Sequence, residues 1–184
     1  MQTATAPDRE RLLATLHRLL EIPAADLKTA LTHAANAVAD ALRADKVDAF
    51  LYDETRDSLV ALGTSTQPLS NLQKKLGLDV LPLSNGGRVV YVYKTGKTLR
   101  TGNLLDDAEE LRGVKEGLRI GSKIGVPLDV DGQRRGMMMI ASLEPSCPWC
   151  AKPPGYWRCP STRASSKSPL RSSSQAILAG SASA

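Results

Sequence analysis

Ser122-Lys123-Ile124-Gly125-Val126-Pro127-Leu128-Asp129-Val130-Asp131-Gly132-Gln133-Arg134-Arg135-Gly136-Met137-Met138-Met139-Ile140-Ala141-Ser142-Leu143 decides the fold class of this 184-residue chain. Two apolar-rich runs, residues 122–130 and 133–143, flank Asp131-Gly132. Asp-Gly is a preferred centre for a two-residue hairpin, because both positions must adopt positive φ. Side chains alternate along a strand, so the successive methionines fall on both faces of the second run. They read as adaptable core filler or as a plastic wall around a ligand.

A second hairpin lies upstream. Val47, Ala49 and Leu51 point one way and Phe50 and Tyr52 the other, over a strand from Lys46 to Asp53. A polar turn through residues 53–57 leads into a second strand, Ser58–Thr64. Both faces carry apolar residues, so cover is needed on each side.

Two helices precede these strands. Leu12, Leu13, Leu16, Leu19 and Leu20 recur at helical spacing over 8–21, with Asp8 as N-cap and Pro23 as stop. The stripe is suited to packing within the domain or to pairing with a second copy, since Leu13, Leu16 and Leu20 have heptad spacing. Residues 24–44 form the second helix, whose narrow face of Leu27, Leu31, Ala34, Ala35, Val38 and Leu42 fits a flat partner such as a sheet.

Between the hairpins, residues 68–103 mix short helices and loops. A helix is expected around Leu69–Leu78, an extended piece over 79–83, and a turn at Asn85-Gly86-Gly87. A further helix over 88–94 should end at Gly96, with a short strand at 99–101. Asp106–Leu118 reads as a helix whose early acidic residues complement the macrodipole.

Composition narrows the possible functions. Apolar residues make up 42% of the chain and aromatic residues 4%, enough for an aliphatic core. The net charge of +5 comes from Lys152, Arg158, Arg163, Lys167 and Arg171, all beyond the last acidic residue, Glu144. Residues 1–144 are therefore neutral and give no electrostatic footprint for specific nucleic-acid binding. No run is long and apolar enough for membrane insertion, and the N-terminus does not read as a signal peptide. A cytoplasmic location is expected.

The order helix, helix, hairpin, insert, hairpin resembles the GAF family of small-molecule-binding domains over residues 24–144. The resemblance rests on Val47-Asp48-Ala49-Phe50-Leu51-Tyr52-Asp53, Leu81-Pro82-Leu83, and Gly86-Gly87-Arg88-Val89-Val90. It continues through Thr95-Gly96-Lys97-Thr98, Arg119-Ile120-Gly121-Ser122, and Gly125-Val126-Pro127-Leu128 to Arg135-Gly136-Met137. It implies an α+β fold, α/β/α-like. The N-terminal helices would lie on one face of a central antiparallel sheet, and the insert would form a pocket on the other. It also implies a small-molecule sensor or dimerising relay of signal transduction, here without its output domain, acting as a homodimer and not as an enzyme.

Under that resemblance the pocket residues are Tyr52, Val80, Leu83, Gly87, Arg88, Val89, Thr101, Asn103 and Ser122. Gly87 would allow close backbone approach and Arg88 would attract an anion, or these are an ordinary turn and a surface charge. The ligand is not identified, and no cofactor or metal is expected. The insert lacks the cysteine that holds a bilin chromophore in some family members. Asp53-Glu54 is similar to an acidic pair of cyclic-nucleotide-binding members, but the surrounding pattern is not met. His17 and His33 fall on the predicted N-terminal helices, away from any ligand set.

All three cysteines, Cys147, Cys150 and Cys159, follow Ser146. Cys147-Pro148-Trp149-Cys150 has the spacing of a redox dithiol or half a zinc site, but Pro153-Pro154-Gly155 denies it the following helix. A GAF-like thiol reductase using Cys147 and Cys150 is the alternative from another class. A purely structural dimerisation domain is a third. Residues 145–184 are basic, rich in serine and proline, and lack the closing helix expected of such a domain. They read as an out-of-frame translation of GC-rich coding DNA or as a disordered extension.

Overall fold

A computed structural model describes residues 6–23 and 26–145. The helix α1 (Ala6–Leu20) leads to α2 (Leu27–Leu42), then to β1 (Lys46–Asp53) and β2 (Ser58–Thr64). The insert holds α3 (Pro68–Lys75), β3 (Val80–Pro82), α4 (Gly87–Thr95), β4 (Leu99–Thr101) and a π-helical turn, Gly113–Leu118. The chain closes with β5 (Ser122–Val130) and β6 (Gln133–Ser142). All strands join one antiparallel sheet of order β3-β2-β1-β6-β5-β4.

The hairpin that decides the fold forms as its sequence requires. Asp131 and Gly132 have φ of 52° and 72°, matching the twist of the flanking strands. In the resulting register Met137, Met139 and Ala141 face one side of the sheet, and Met138 and Ile140 the other.

The second side is covered by α2. Its buried residues are Ala35, Ala37, Ala39 and Ala41, and Ala35 and Ala39 meet Val47 and Ile140. Alanine keeps the helix close to the sheet, as the small-residue face suggested, but Leu27 is exposed and takes no part. Asp26 caps α2, its side chain accepting from Thr29 N at 2.8 Å. The first side is covered by α4, where Val89 and Val92 pack with Phe50, Leu59, Leu81, Met137 and Met139. Helix α2 on one face and the insert on the other is the α+β arrangement expected.

Three expectations need correction. Helix α1 begins at Ala6, so Asp8 lies inside it and does not cap it. Most of its leucine stripe is left uncovered: Leu12, Leu13, Leu16 and Leu20 are 48%, 58%, 54% and 84% exposed, while Leu19 is half-buried and the helix touches α2. The helix expected over 106–118 is reduced to the π-helical turn. Gly113 and Gly117 weaken a regular helix there, and the carboxylates meant for its first turn bond elsewhere. Asp107 Oδ1 accepts from Glu109 N at 3.0 Å, and Glu110 Oε1 from Leu111 N at 3.0 Å. Among the described residues, no helix is long and apolar enough to cross a membrane. The cysteines at 147, 150 and 159 and the tail from residue 146 lie outside the described residues.

Candidate functional site: buried charges beneath the insert

Strand alternation puts Lys46 and Asp48 on the same face of β1 as Phe50 and Tyr52. Lys46 pairs across to Ala141 of β6, Ala141 to Lys123 of β5, and Lys123 to Thr101 of β4. One row across four strands therefore reads Lys46, Ala141, Lys123, Thr101. Neighbouring strands lie about 4.8 Å apart, so the two lysine backbones stand roughly 10 Å apart with only an alanine between them.

The cover over this row is largely apolar. Leu104, Val114, Leu118 and Ile120 pack on Ala141, with Leu69, Leu78 and Leu111 around them. Charges in such a place must be matched. Lys46 Nζ is ion-paired with Asp48 Oδ2 and Lys123 Nζ with Glu110 Oε2, and all four side chains are at most 3% exposed. Burial drives the Lys46 ammonium from its ordinary 10.5 to about 7. Burial also holds Lys123 well below its ordinary value, and Lys46 and Arg88 push it the same way while Asp107 opposes them.

Arg88, in the first turn of α4, supplies a third cation. Its Nε and Nη2 donate to Asp107 Oδ2 and Oδ1 at 2.6 and 2.8 Å, and its Nη1 donates to Glu109 Oε2 at 2.6 Å. The guanidinium also lies 5.7 Å from the Tyr91 ring centroid. Burial works to raise the Asp107 carboxyl, but the Arg88 hydrogen bonds and charge outweigh it, and the pKa is lowered. Lys115 Nζ donates to Asp107 O at 2.9 Å, so the same stretch is held from both ends.

Polar capacity remains under the cover. Among the described residues, Asp48 Oδ1, Gln67 Oε1 and Gln73 Nε2 are buried without a partner. Gln73 is buried on α3, which packs against β1, and Ser70 on the same helix meets Ser65 Oγ at 3.2 Å. Asp48 Oδ1 is thus an unmet acceptor within the buried Lys46 ion pair, where a donor from a polar ligand would be satisfied.

The expected pocket residues divide. Arg88 and buried Thr101 belong to this charged region, and Val89 lies in the core beneath α4. Gly87 lies where an added Cβ would come within 2.7 Å of Leu111 Cγ, so its close approach is to the insert itself. Tyr52 and Leu83 are half-buried at the other end of the same face. The Tyr52 ring stacks on Tyr93 with centroids 5.1 Å apart, and its hydroxyl donates to Asp57 at 2.9 Å. Val80 is half-buried on β3, two strands away from the charges. Asn103 is exposed and donates to Asp106 at 2.6 Å. Ser122 alternates with Lys123 and so faces the α2 side, donating to Glu144 O at 2.6 Å. The buried charged region also holds Lys46, Asp48, Asp107, Glu110 and Lys123, which the sequence reading does not single out. The signal existed for Lys46 and Asp48, which share the alternation of Phe50 and Tyr52.

No family model and no curated protein matches the chain. Solved structures do. One is the GAF domain of the phosphoenolpyruvate-protein phosphotransferase of Coxiella burnetii, at 19% identity and TM-score 0.62, over 77% of this chain and 81% of that one. Its Acinetobacter counterpart is similar at 18% identity and TM-score 0.58, over 77% and 80%. The chain has a GAF fold. The free methionine-R-sulfoxide reductase of Neisseria meningitidis, solved with its substrate, matches at 19% identity and TM-score 0.61, over 77% and 78%. The GAF fold thus includes both domains of larger proteins and an enzyme, and it leaves the activity of this chain to its own site.

Proposed function

We propose that this chain is a small-molecule-sensing regulatory domain of a cytoplasmic signalling protein, with its ligand site between the sheet and residues 68–118. The observation that carries the reading is the row of buried charges beneath the insert. A domain serving only as a scaffold is as well served by apolar residues there, because buried ion pairs often fail to repay their desolvation. Ligand contacts give such charges a use. Arg88, Thr101 and Gln73 would complete the polar lining, and the π-helical turn and the preceding loop would transmit occupancy.

The test is thermal unfolding of the full chain with a panel of metabolites. A ligand bound to the folded state at 100 times its Kd stabilises by about 2.7 kcal/mol, a readily measured rise in Tm. A panel without any stabiliser would leave a structural domain as the better reading.

Dimerisation is a compatible part of the proposal. The exposed leucines of α1 form a stripe that a second copy of the chain would cover. The thiol-reductase alternative draws support from the fold shared with free methionine-R-sulfoxide reductases. Replacing Cys147 and Cys150 with serine distinguishes the two. Activity toward an oxidised thioether would be lost under the enzyme reading, and ligand binding retained under the sensing one.

A further inference from the structure

The carboxylates that neutralise Lys123 and Arg88 do not come from the sheet. Glu110, Asp107 and Glu109 belong to one short stretch before the π-helical turn, and their ion pairs fix it over the sheet. Asp107 lies within the electrostatic reach of both cations. The Lys46–Asp48 pair is different, because both partners sit on β1 and stay together however the insert moves.

We propose that this stretch is a built-in surrogate ligand: a small dianion enters the site, takes the places of Glu110 and Asp107 on Lys123 and Arg88, and releases the segment 104–112. This rests on the sensing reading and names both the ligand class and the output. Charge balance sets the class. Removing Glu110 and Asp107 uncovers two positive charges, which a dianion restores and a neutral molecule does not. Exchange of one carboxylate for another leaves the lysine paired throughout, so the cost falls mainly on the apolar contacts of Leu104 and Leu111. Glu110 and the ligand are then competitors, and the loop senses the dianion by being displaced.

The test uses the full chain, with succinate and hydrogen phosphate as separate probes of the carboxylate and phosphate forms of the same chemistry. Calorimetry should show binding of at least one probe. Glu110→Gln should tighten it roughly tenfold, within the usual range for coupled sites, and Lys123→Met should abolish it. Hydrogen exchange on the unmodified chain supplies a readout independent of how well the variants fold. The bound probe should speed exchange at amides of 104–112 while slowing it in β5. Affinity unchanged in Glu110→Gln, or slower exchange at 104–112 with probe bound, would overturn the displacement. If neutral adenosine or cationic putrescine stabilises the chain and neither dianion does, the dianion proposal fails and the sensing reading stands. If nothing in a broad metabolite panel stabilises it, both fail.

Discussion

Arg88 closes a bidentate ion pair on Asp107, at 2.6 and 2.8 Å, and thereby ties the first turn of α4 to the loop that precedes the π-helical turn. The two side chains are only 19% and 8% exposed, so the pair works in a setting where water competes little. Its neighbour Glu109 is 72% exposed and adds little by comparison.

Asp107→Asn should therefore destabilise the chain by about 1.5–3 kcal/mol, the usual worth of a hydrogen bond to a charged group. Urea unfolding should show a lower midpoint at unchanged slope. Hydrogen exchange should speed up first in residues 102–112, because the change loosens that loop and leaves the sheet intact.

Stability should depend on pH with a defined sign. Lys46 titrates near 7 in the folded chain against an ordinary 10.5, so the unfolded chain holds more protons between those values. Stability should rise as pH increases across that window, and Lys123 acts in the same direction. The charged groups shown to act with Lys46 are Asp48 on its own strand and Lys123 across the sheet. Asp107 acts at the acid end: its lowered pKa contributes stability above about 3.8 that is lost as pH falls. Lys46→Met should flatten the alkaline rise in Tm and leave the acid limb in place.

The three methionines of β6 should not respond alike. Met137 is fully buried among Phe50, Leu59 and Val92, whereas Met138 is half-buried on the α2 side. Met137→Ala should cost about 2–5 kcal/mol and Met138→Ala clearly less, measured by chemical denaturation. Equal losses would mean that the strand register differs from the one described.

Leu13→Glu combined with Leu20→Glu should convert a dimer to a monomer in light scattering without lowering the intrinsic stability of the domain. The residues are 58% and 84% exposed, so a charge there has no core to disrupt. A chain that is already monomeric at high concentration would remove the α1 interface from the proposal.

The legibility of these features follows the physics. Both hairpins were readable, because alternation and an Asp-Gly turn are local signals that the sheet enforces. Gly96 was readable as the end of α4 for the same reason, with a φ of 68° that closes the helix. The helix expected at 106–118 failed because Asp107 and Glu110 are spent on Arg88 and Lys123, partners that only the tertiary structure brings near. Arg88 and Thr101 of the charged region stand out in the sequence, whereas the Lys123–Glu110 pair does not, since pairing residues 13 apart leaves no local trace. Alternation along β5 puts Ser122 on the α2 side and Lys123 on the insert side.

The most direct measurement of the sensing proposal is the melting temperature of the full chain across a metabolite panel, repeated in Lys123→Met. The expected result is at least one metabolite that raises Tm in a saturable, dose-dependent way in the unmodified chain and not in the variant. A ligand that stabilises both proteins equally would place its site away from the buried charges, and a panel that stabilises neither would contradict the sensing function.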